Sequence, residues 1–263
     1  MSDFLQQMAA QSARRAADAR AATPEAEMRA AAEAMPPALP LVLPAGELGV
    51  IAEIKRVSPA AGVLNAAMDP AAQARAYEAA GASAISVLTE PARFQGNMAD
   101  LRHARAATGL PVMRKDFIGD AYQIYEARAA GADGVLLIVA MLSDRELRHY
   151  LRVCDYLGMF ALVECFDADD VTRAQAADAR IIGINSRNLR DLHVECERFE
   201  KLRELIEPGR TAIAESGIST PAQFHAVRRL GYHAALVGSA LMREADPAAA
   251  LARLRNLPQE ATR

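Results

Sequence analysis

The sequence predicts an α/β protein in which a single closed barrel of eight βα units, (β/α)8, follows a helical extension. Eight short runs of apolar and β-branched residues lie between residues 50 and 237, and longer alanine-rich amphipathic segments alternate with them. The starts of successive runs are on average about 26 residues apart, which suits one strand and one crossover helix. Parallel strands with helical crossovers are buried on both faces, so eight such units favour a TIM barrel.

The apolar runs are the expected strands. In chain order they cover residues 50–54, 84–88, 111–113, 134–139, 160–163, 181–184, 211–214 and 234–237. Helices are expected over residues 71–80, 121–130, 144–157, 168–177 and 221–230. Glycines follow several helical segments at points where a helix end favours a left-handed residue, namely Gly81, Gly109, Gly131, Gly158 and Gly231.

The first part of the chain differs from this repeating pattern. Residues 3–34 are rich in Ala, Arg, Glu and Gln, which predicts two helices. We expect Thr23 to cap the second helix and Pro24 to take its first position. Four prolines between residues 36 and 44 predict an extended lead-in. We therefore divide the chain into an extension of residues 1–47 and a catalytic barrel of residues 48–263.

Composition narrows the function classes. The 263 residues include 30 basic and 33 acidic side chains, a net charge of −3, so nothing favours nucleic acid or a membrane as partner. Cys154, Cys165 and Cys196 fit neither a disulfide framework nor a zinc site. The longest apolar stretch falls short of the roughly 20 residues of a membrane helix, and no signal peptide opens the chain. We expect a soluble, cytoplasmic protein.

An open doubly wound sheet is the alternative architecture, and the polar residues at the strand ends favour the barrel. In a barrel these residues converge on one rim, whereas an open sheet scatters them. The residues at or after the runs are Glu53, Lys55, Thr89, Glu90, Lys115, Asp116, Glu164, Asn185, Arg187, Glu215, Ser216, Gly238 and Ser239.

Lys115 is the first candidate for chemistry, because a lysine at a strand end can donate a proton or bind an anion. A salt bridge to Asp116 or Glu90 is the purely structural alternative. Glu53, Lys55 and Glu164 on other strand ends favour catalysis, since acids and lysines around one pocket can hold their pKa values apart. Taken alone, Glu164 is equally consistent with a paired structural carboxylate and with a base.

Two glycine-containing turns follow the seventh and eighth runs, where barrels frequently bind phosphate through backbone N–H groups. These turns are Ser216-Gly217 and Gly238-Ser239, and together they predict a phosphorylated small-molecule substrate. There is no Walker-type loop, no GxGxxG opening a first helix and no HExxH, so we expect no cofactor and no metal.

Seven segments together resemble the signature segments of the indole-3-glycerol phosphate synthase family. They are IAEIKRVSP at 51–59, VLTEPARFQG at 87–96, RKDF at 114–117, LVE at 162–164, GINSRNL at 183–189, AESGI at 214–218 and VGS at 237–239. The resemblance covers residues 48–245. It implies a (β/α)8 barrel without cofactor that converts 1-(2-carboxyphenylamino)-1-deoxyribulose 5-phosphate to indole-3-glycerol phosphate, CO2 and water in tryptophan biosynthesis.

The resemblance also implies roles. Lys115 corresponds to the general acid of ring closure and Glu164 to the base of dehydration, while Glu53 and Asn185 assist and Lys55 meets the anionic groups of the substrate. The phosphate would bind at Ser216, Gly217, Gly238 and Ser239. The other substrate-binding residues would be Ser58, Pro59, Phe94, Phe117, Arg187, Leu189 and Glu215, of which Pro59, Phe94, Phe117 and Leu189 pack on the anthranilate ring.

The chain departs from the family pattern at three places. Ala60-Ala61 replaces a small polar residue and a lysine, Ser186 replaces an asparagine, and residues 1–47 lack the lysine- and glutamate-rich helix that shapes the mouth in the family. These departures leave open a paralogue of a specialised pathway, and the phosphate turns leave open a sugar-phosphate isomerase. We expect a monomer, and an association with other tryptophan-pathway enzymes stays open.

Overall fold

Eight parallel strands close into a barrel in the computed structural model, which describes residues 4–189, 192–244 and 246–256. Each strand pairs with its neighbours in chain order, and the last pairs with the first through Gly49 and Ala234. The prediction of a barrel is thus confirmed, and the open sheet is wrong. The strands are β1 Gly49–Ile54, β2 Ala84–Leu88, β3 Val112–Lys115, β4 Gly134–Ile138, β5 Phe160–Cys165, β6 Ile181–Asn185, β7 Thr211–Glu215 and β8 Ala234–Val237.

The predicted strand bounds are too short at the carboxyl ends of β3 and β5. Lys115 still pairs with Leu88, and Glu164 still pairs with Ile138 and Gly183. The apolar composition ends before the ladder of hydrogen bonds does, because an inward-facing charged side chain at the rim is compatible with a strand. Lys115 and Glu164 are therefore held by the sheet itself.

Helices surround the barrel, and the five predicted ones are all present within one or two residues of their expected bounds. The helices are α1 Phe4–Ala22, α2 Glu25–Glu33, α3 Pro70–Ala79, α4 Pro91–Phe94, α5 Met98–Ala106, α6 Tyr122–Ala129, α7 Asp144–Tyr156, α8 Ala168–Ala176, α9 Arg198–Arg203, α10 Pro221–Arg229, α11 Ser239–Met242 and α12 Pro247–Arg255. No helix in the described part of the chain is long and apolar enough to span a membrane.

Four of the five glycines expected in the left-handed region are found there, at Gly81, Gly131, Gly158 and Gly231. The prediction for Gly109 is wrong. Helix α5 ends earlier, at Ala106, and Gly109 instead donates its N–H to the Glu78 carboxylate at 3.0 Å.

Two apolar layers hold the barrel together. Alternate strand residues point outward to the helices, as Ile182 and Ile184 do on β6, whereas Leu162 and Ile213 fill the interior of the barrel. The alternation follows from the two-residue period of a strand. It also aims Asn185 and Glu215, which end β6 and β7, at the mouth.

The prediction of two amino-terminal helices is confirmed, with one correction at their junction. Pro24 is the residue before α2, with extended backbone (φ −54°, ψ 146°), so the helix starts at Glu25 and no side chain caps it. The expected cap at Thr23 is therefore wrong by one position. Tyr122 on α6 is within hydrogen-bonding distance of the carbonyl oxygens of Ala19 and Thr23, both at 2.9 Å, so this junction is tied to the barrel.

Candidate active site

One cavity of about 380 Å³ opens at the carboxyl ends of the strands, and all sixteen predicted site residues line it. Strand and turn residues form its floor and sides, the short hairpin after β1 brings Ser58 and Pro59, and α4 brings Phe94. The structure thus brings together residues that are up to 186 positions apart in the sequence, from Glu53 to Ser239. Their individual roles stay predictions. The members of the set are Glu53, Lys55, Ser58, Pro59, Phe94, Lys115, Phe117, Glu164, Asn185, Arg187, Leu189, Glu215, Ser216, Gly217, Gly238 and Ser239.

Lys115 faces Glu164 across the floor of the cavity, with 3.8 Å between Nζ and Oε2. Burial by itself lowers the pKa of Lys115, but the acidic groups around it, first Glu164 and then Glu53, outweigh burial and raise that pKa above its usual value. The lysine is therefore an ammonium group at neutral pH. Oε2 of Glu164 is buried and accepts no hydrogen bond in the described structure.

The structural alternative for Lys115, a salt bridge to Asp116 or Glu90, is wrong. Asp116 accepts two hydrogen bonds from Arg15, at 2.7 and 2.9 Å, and one from Arg114 at 3.1 Å. Glu90 instead caps α4, where it accepts the first three backbone N–H groups of that helix.

Glu53 and Lys55 form an ion pair on β1 and just beyond it. Their position depends on Gly238, because a Cβ atom at that residue would overlap the Glu53 carboxylate and come within 2.9 Å of Lys55 Nζ. The glycine therefore makes room for this pair as well as for a ligand. The turn after β8 and the Glu53–Lys55 pair are therefore in contact at this point.

Ser216 and Gly217 turn the chain sharply after β7, with φ values of 65° and 67°. A Cβ atom at Gly217 would lie 2.9 Å from both Cys196 Sγ and Ser186 Oγ, so packing as well as conformation requires glycine. Opposite this turn, α11 begins at Ser239, and the first N–H groups of a helix have no acceptor within it. The arrangement is suited to oxygen atoms of an anion.

An aromatic wall stands across the cavity from the Ser216-Gly217 and Gly238-Ser239 turns. The rings of Phe94 and Phe117 are 6.2 Å apart, and Phe4 of α1 packs against both, at 6.5 and 6.1 Å. Phe4 was not predicted as a site residue, because nothing in the sequence of α1 indicates that its first turn reaches the mouth. Arg243, which follows α11 and also lines the cavity, was missed as well.

Arg187 and Asn185 form a local structure at the end of β6. The Arg187 N–H donates to Asn185 Oδ1 at 2.9 Å, and its guanidinium donates to the Leu192 carbonyl at 2.8 Å. Burial lowers the pKa of Arg187, an effect that Glu53 partly opposes. These contacts hold an amide and a cation at the mouth, where they can orient hydroxyl and anionic groups.

The choice between lysine and arginine at the basic positions points to the cavity, and the sequence analysis did not use it. The chain has 30 basic residues but only three lysines, and Lys55 and Lys115 both line the cavity, whereas Lys201 lies exposed on α9. The other 27 basic residues of the chain are arginines. Because a guanidinium does not give up its proton in proteins and an ammonium group does, lysine at these two positions indicates proton transfer.

Acid–base chemistry at the mouth of a closed barrel defines the class of this protein: it is a (β/α)8-barrel enzyme. A profile of the family described as Indole-3-glycerol phosphate synthase matches residues 5–254. The chain belongs to this family, whose members are ring-closing carboxy-lyases of tryptophan biosynthesis.

Curated relatives match nearly the whole chain. The indole-3-glycerol phosphate synthase of Leifsonia xyli subsp. xyli is 47% identical over 246 residues, which cover 93% of this chain and 94% of the relative. The synthase of Laribacter hongkongensis is 45% identical over 261 residues, which cover 97% and 99%. The amino-terminal extension is therefore inside the matched region.

Solved structures of low sequence identity share the fold. A 3-hexulose-6-phosphate synthase aligns with a TM-score of 0.62 at 17% identity, covering 79% of this chain and 98% of its own. The thiamine phosphate pyrophosphorylase of Pyrococcus furiosus aligns with a TM-score of 0.59 at 18% identity, covering 79% and 93%. At such identities the comparison concerns the barrel alone.

Proposed function

We propose that this chain converts 1-(2-carboxyphenylamino)-1-deoxyribulose 5-phosphate to indole-3-glycerol phosphate, CO2 and water, with Lys115 as acid and Glu164 as base. The observation that supports this assignment most strongly is the ion pair of Lys115 with the buried Glu164, set between an aromatic wall and the glycine-containing turns in one cavity. Because the substrate carboxylate leaves as neutral CO2, each turnover consumes one proton. The site must therefore deliver protons as well as remove one.

Ring closure needs the acid first. The ring carbon that carries the carboxylate bonds to the ketone carbon, and Lys115 gives its proton to the ketone oxygen. The bond to the carboxylate then breaks, its electron pair restores the aromatic ring, and CO2 departs. Positioning the ring against the ketone lowers the barrier by several kcal/mol in well-aligned cases, and Phe94 and Phe117 are placed to do this.

The dehydration step needs both Lys115 and Glu164. The raised pKa of Lys115 favours its reprotonation from solvent, and the lysine then protonates the hydroxyl group, which leaves as water. Glu164 takes a proton from the methylene carbon beside the nitrogen, which completes the indole. Transfer of that proton from Glu164 to Lys115, its ion-pair partner, restores the starting state. One proton from solvent is used per turnover, as the overall reaction requires.

The remaining residues fix the substrate. Ser216, Gly217, Gly238 and Ser239 bind the phosphate, Lys55 and Arg187 meet the carboxylate and hydroxyl groups, and Ser58, Pro59 and Leu189 close the walls. Glu53 holds Lys55, and Asn185 orients Arg187.

The catalytic domain in this proposal is the barrel of residues 48–263, and residues 1–47 cover its mouth. The enzyme acts as a monomer in the cytoplasm and needs no cofactor.

Purified protein incubated with the carboxyphenylamino-deoxyribulose phosphate tests the assignment. We expect indole absorbance and fluorescence to appear together with one equivalent of CO2. A protein that binds the substrate but only isomerises it, with no CO2 released, would show that the synthase assignment is wrong and favour a sugar-phosphate isomerase.

A further inference from the structure

Three carboxyl groups face two lysines in the cavity, so the charges do not balance. Glu53 pairs with Lys55, and Glu164 pairs with Lys115. Glu215 is 1% exposed and forms no ion pair with any described residue. Two arginines also line the cavity: Arg187 donates to a backbone carbonyl and the acid whose charge acts on it is Glu53, whereas Arg243 is exposed after α11. Glu215 is thus a buried acid without a counter-ion.

A gap in the neighbouring strand accommodates this acid. Gly183 lies on β6 between Glu164 and Ile213 in the register of the sheet. A Cβ atom at Gly183 would occupy the position of Glu215 Oε1 and approach Leu162 Cδ1 to 3.0 Å. Because Gly183 has no side chain, the Glu215 carboxyl group lies over β6 on the side of Glu164.

Both oxygens of Glu215 and Oε2 of Glu164 are buried without a hydrogen-bond partner in the described structure. Three unpartnered carboxyl oxygens in one place are costly if both groups are charged, since neither can donate. A single proton removes the conflict, because a neutral carboxylic acid has an O–H that a carboxylate can accept.

We propose that Glu215 is a positioning residue of the synthase reaction: held over Gly183 as a neutral carboxylic acid, it donates a hydrogen bond to the Glu164 carboxylate and keeps that base charged and in place. The substrate-binding role expected for Glu215 from the sequence is thereby replaced by an action through Glu164. This inference rests on the proposed function for its meaning in turnover, but the protonation state of Glu215 does not depend on it.

The electrostatics of the cavity agree with this assignment. Burial and the carboxylates of Glu164 and Glu53 raise the pKa of Glu215 well above its ordinary value, and Lys115 opposes them only in part. These groups lie on β1, β3 and β5, which face Glu215 across the barrel. With Glu215 neutral, Glu164 remains the ion-pair partner of Lys115.

Infrared difference spectroscopy reads the protonation state directly. At pH 7, the wild type minus Glu215→Gln spectrum is expected to contain the C=O band of one protonated carboxylic acid. Gly183→Ala should remove or shift this band, because its Cβ pushes the carboxyl group from its place. Gly134→Ala is the matched control: its Cβ would meet the Phe160 ring instead, away from the mouth, so the band should stay. Circular dichroism establishes that each variant is folded.

Thermal stability gives a second readout with a definite sign. An unfolded glutamate titrates near about pH 4.3, whereas native Glu215 stays protonated to higher pH. Above that unfolded value the unfolded wild type gains charge that the native state does not, so wild-type stability falls as pH rises towards the native pKa. Glutamine does not titrate. The Tm of Glu215→Gln relative to wild type should therefore increase with pH over this interval.

The kcat and KM of two Glu215 variants distinguish a positioning role of this residue from a role in substrate binding. Glu215→Gln keeps a donor for Glu164, whereas Glu215→Ala does not, so kcat of the alanine variant should be about tenfold lower than that of the glutamine variant at similar KM. A carboxylate that binds substrate predicts that both variants raise KM alike.

Absence of the protonated-acid band at pH 7, or a Tm difference that falls with pH, would overturn the inference even if the enzyme is active. Presence of the band in a protein that forms no indole would instead leave the protonation state intact and count against the proposed function. Loss of the band in Gly134→Ala as well as Gly183→Ala would contradict the role given to Gly183.

Discussion

Arg114 and Lys115 are adjacent cations on β3 with different tasks. Arg114 points outward, where it binds Asp116, the carboxylate of Glu126 at 2.6 Å and the Gln123 carbonyl at 3.0 Å. Lys115 points into the cavity. A guanidinium suits fixed multiple hydrogen bonds, and an ammonium group suits proton exchange. Strand alternation thus places one side chain among structural contacts outside the barrel and the next in the cavity.

Lys115→Met should lower kcat by about 10²- to 10⁴-fold, the usual effect of losing a general acid, with a much smaller change in KM. Methionine fills the space of the lysine stem but carries no proton. Steady-state kinetics with matched melting curves test this. Lys201→Met, at the one lysine outside the cavity, is the control and should keep wild-type kcat. A Lys115→Met enzyme with at least half the wild-type kcat would exclude Lys115 from the mechanism.

At this scale the sequence predicted the acid–base residues because they end strands, and a strand end is visible in the apolar pattern. It did not predict Phe4, Arg243 or the gap at Gly183. These depend on where a helix docks and on which side chain passes over which strand. These contacts depend on tertiary packing, and local hydrophobic periodicity predicts the elements but not the contacts between them.

Helix α1 is fastened to the strand end that carries Lys115. Arg15 binds both oxygens of Asp116, and Ser12 donates to the Phe117 carbonyl and accepts from Gln123 at 2.8 Å. The residues that follow Lys115 therefore hold the helix whose first residue, Phe4, completes the aromatic wall. The sequence predicted this helix but not its contacts.

Arg15→Ala should raise KM about tenfold with a smaller change in kcat, because a loosened α1 no longer presses Phe4 against Phe117. Arg14→Ala provides a matched control, since Arg14 is the preceding residue of the same helix, carries the same charge and is exposed. Kinetics of the two variants are compared at the same ionic strength. Equal effects of both changes, or a loss confined to kcat in Arg15→Ala, would exclude this role of the helix.

Helix ends were predicted less well than helix positions. Gly109 and Thr23 each lie near a real helix end, yet α5 stops before Gly109, and α2 starts after Pro24. A glycine or a hydroxyl residue marks the neighbourhood of an end, while the exact residue depends on contacts such as that of Gly109 with Glu78.

Across the whole molecule the cavity has the glycine-containing turns of β7 and β8 at one end and aromatic rings at the other, and the Lys115–Glu164 ion pair lies between them. Closure of the barrel produces this arrangement, because it brings β8 next to β1 and so places the ends of β7 and β8 on the same rim as that of β1. The apolar runs predicted the barrel, and the barrel in turn placed all sixteen predicted residues around one space.

Inorganic phosphate should compete with the substrate, raising apparent KM without changing kcat at concentrations on the order of tens of millimolar. Sodium chloride at equal ionic strength is the control and should have a much smaller effect. Competition by an added anion tests the phosphate end better than a substitution at Gly238, whose Cβ would also displace Glu53. Equal inhibition by both salts would contradict a specific phosphate site between β7 and β8.

Lys115 and Glu164 are proposed to act in sequence on one bound substrate, and a single-turnover experiment tests this most directly. Substrate labelled in its carboxyl group is mixed with excess Glu164→Gln or Lys115→Met enzyme, and released CO2 and indole absorbance are followed in the same sample. Glu164→Gln should release CO2 promptly while indole appears far more slowly, and Lys115→Met should release neither at an appreciable rate. If CO2 and indole are slowed equally in Glu164→Gln, or if Lys115→Met releases CO2 at the wild-type rate, the two residues do not have these roles.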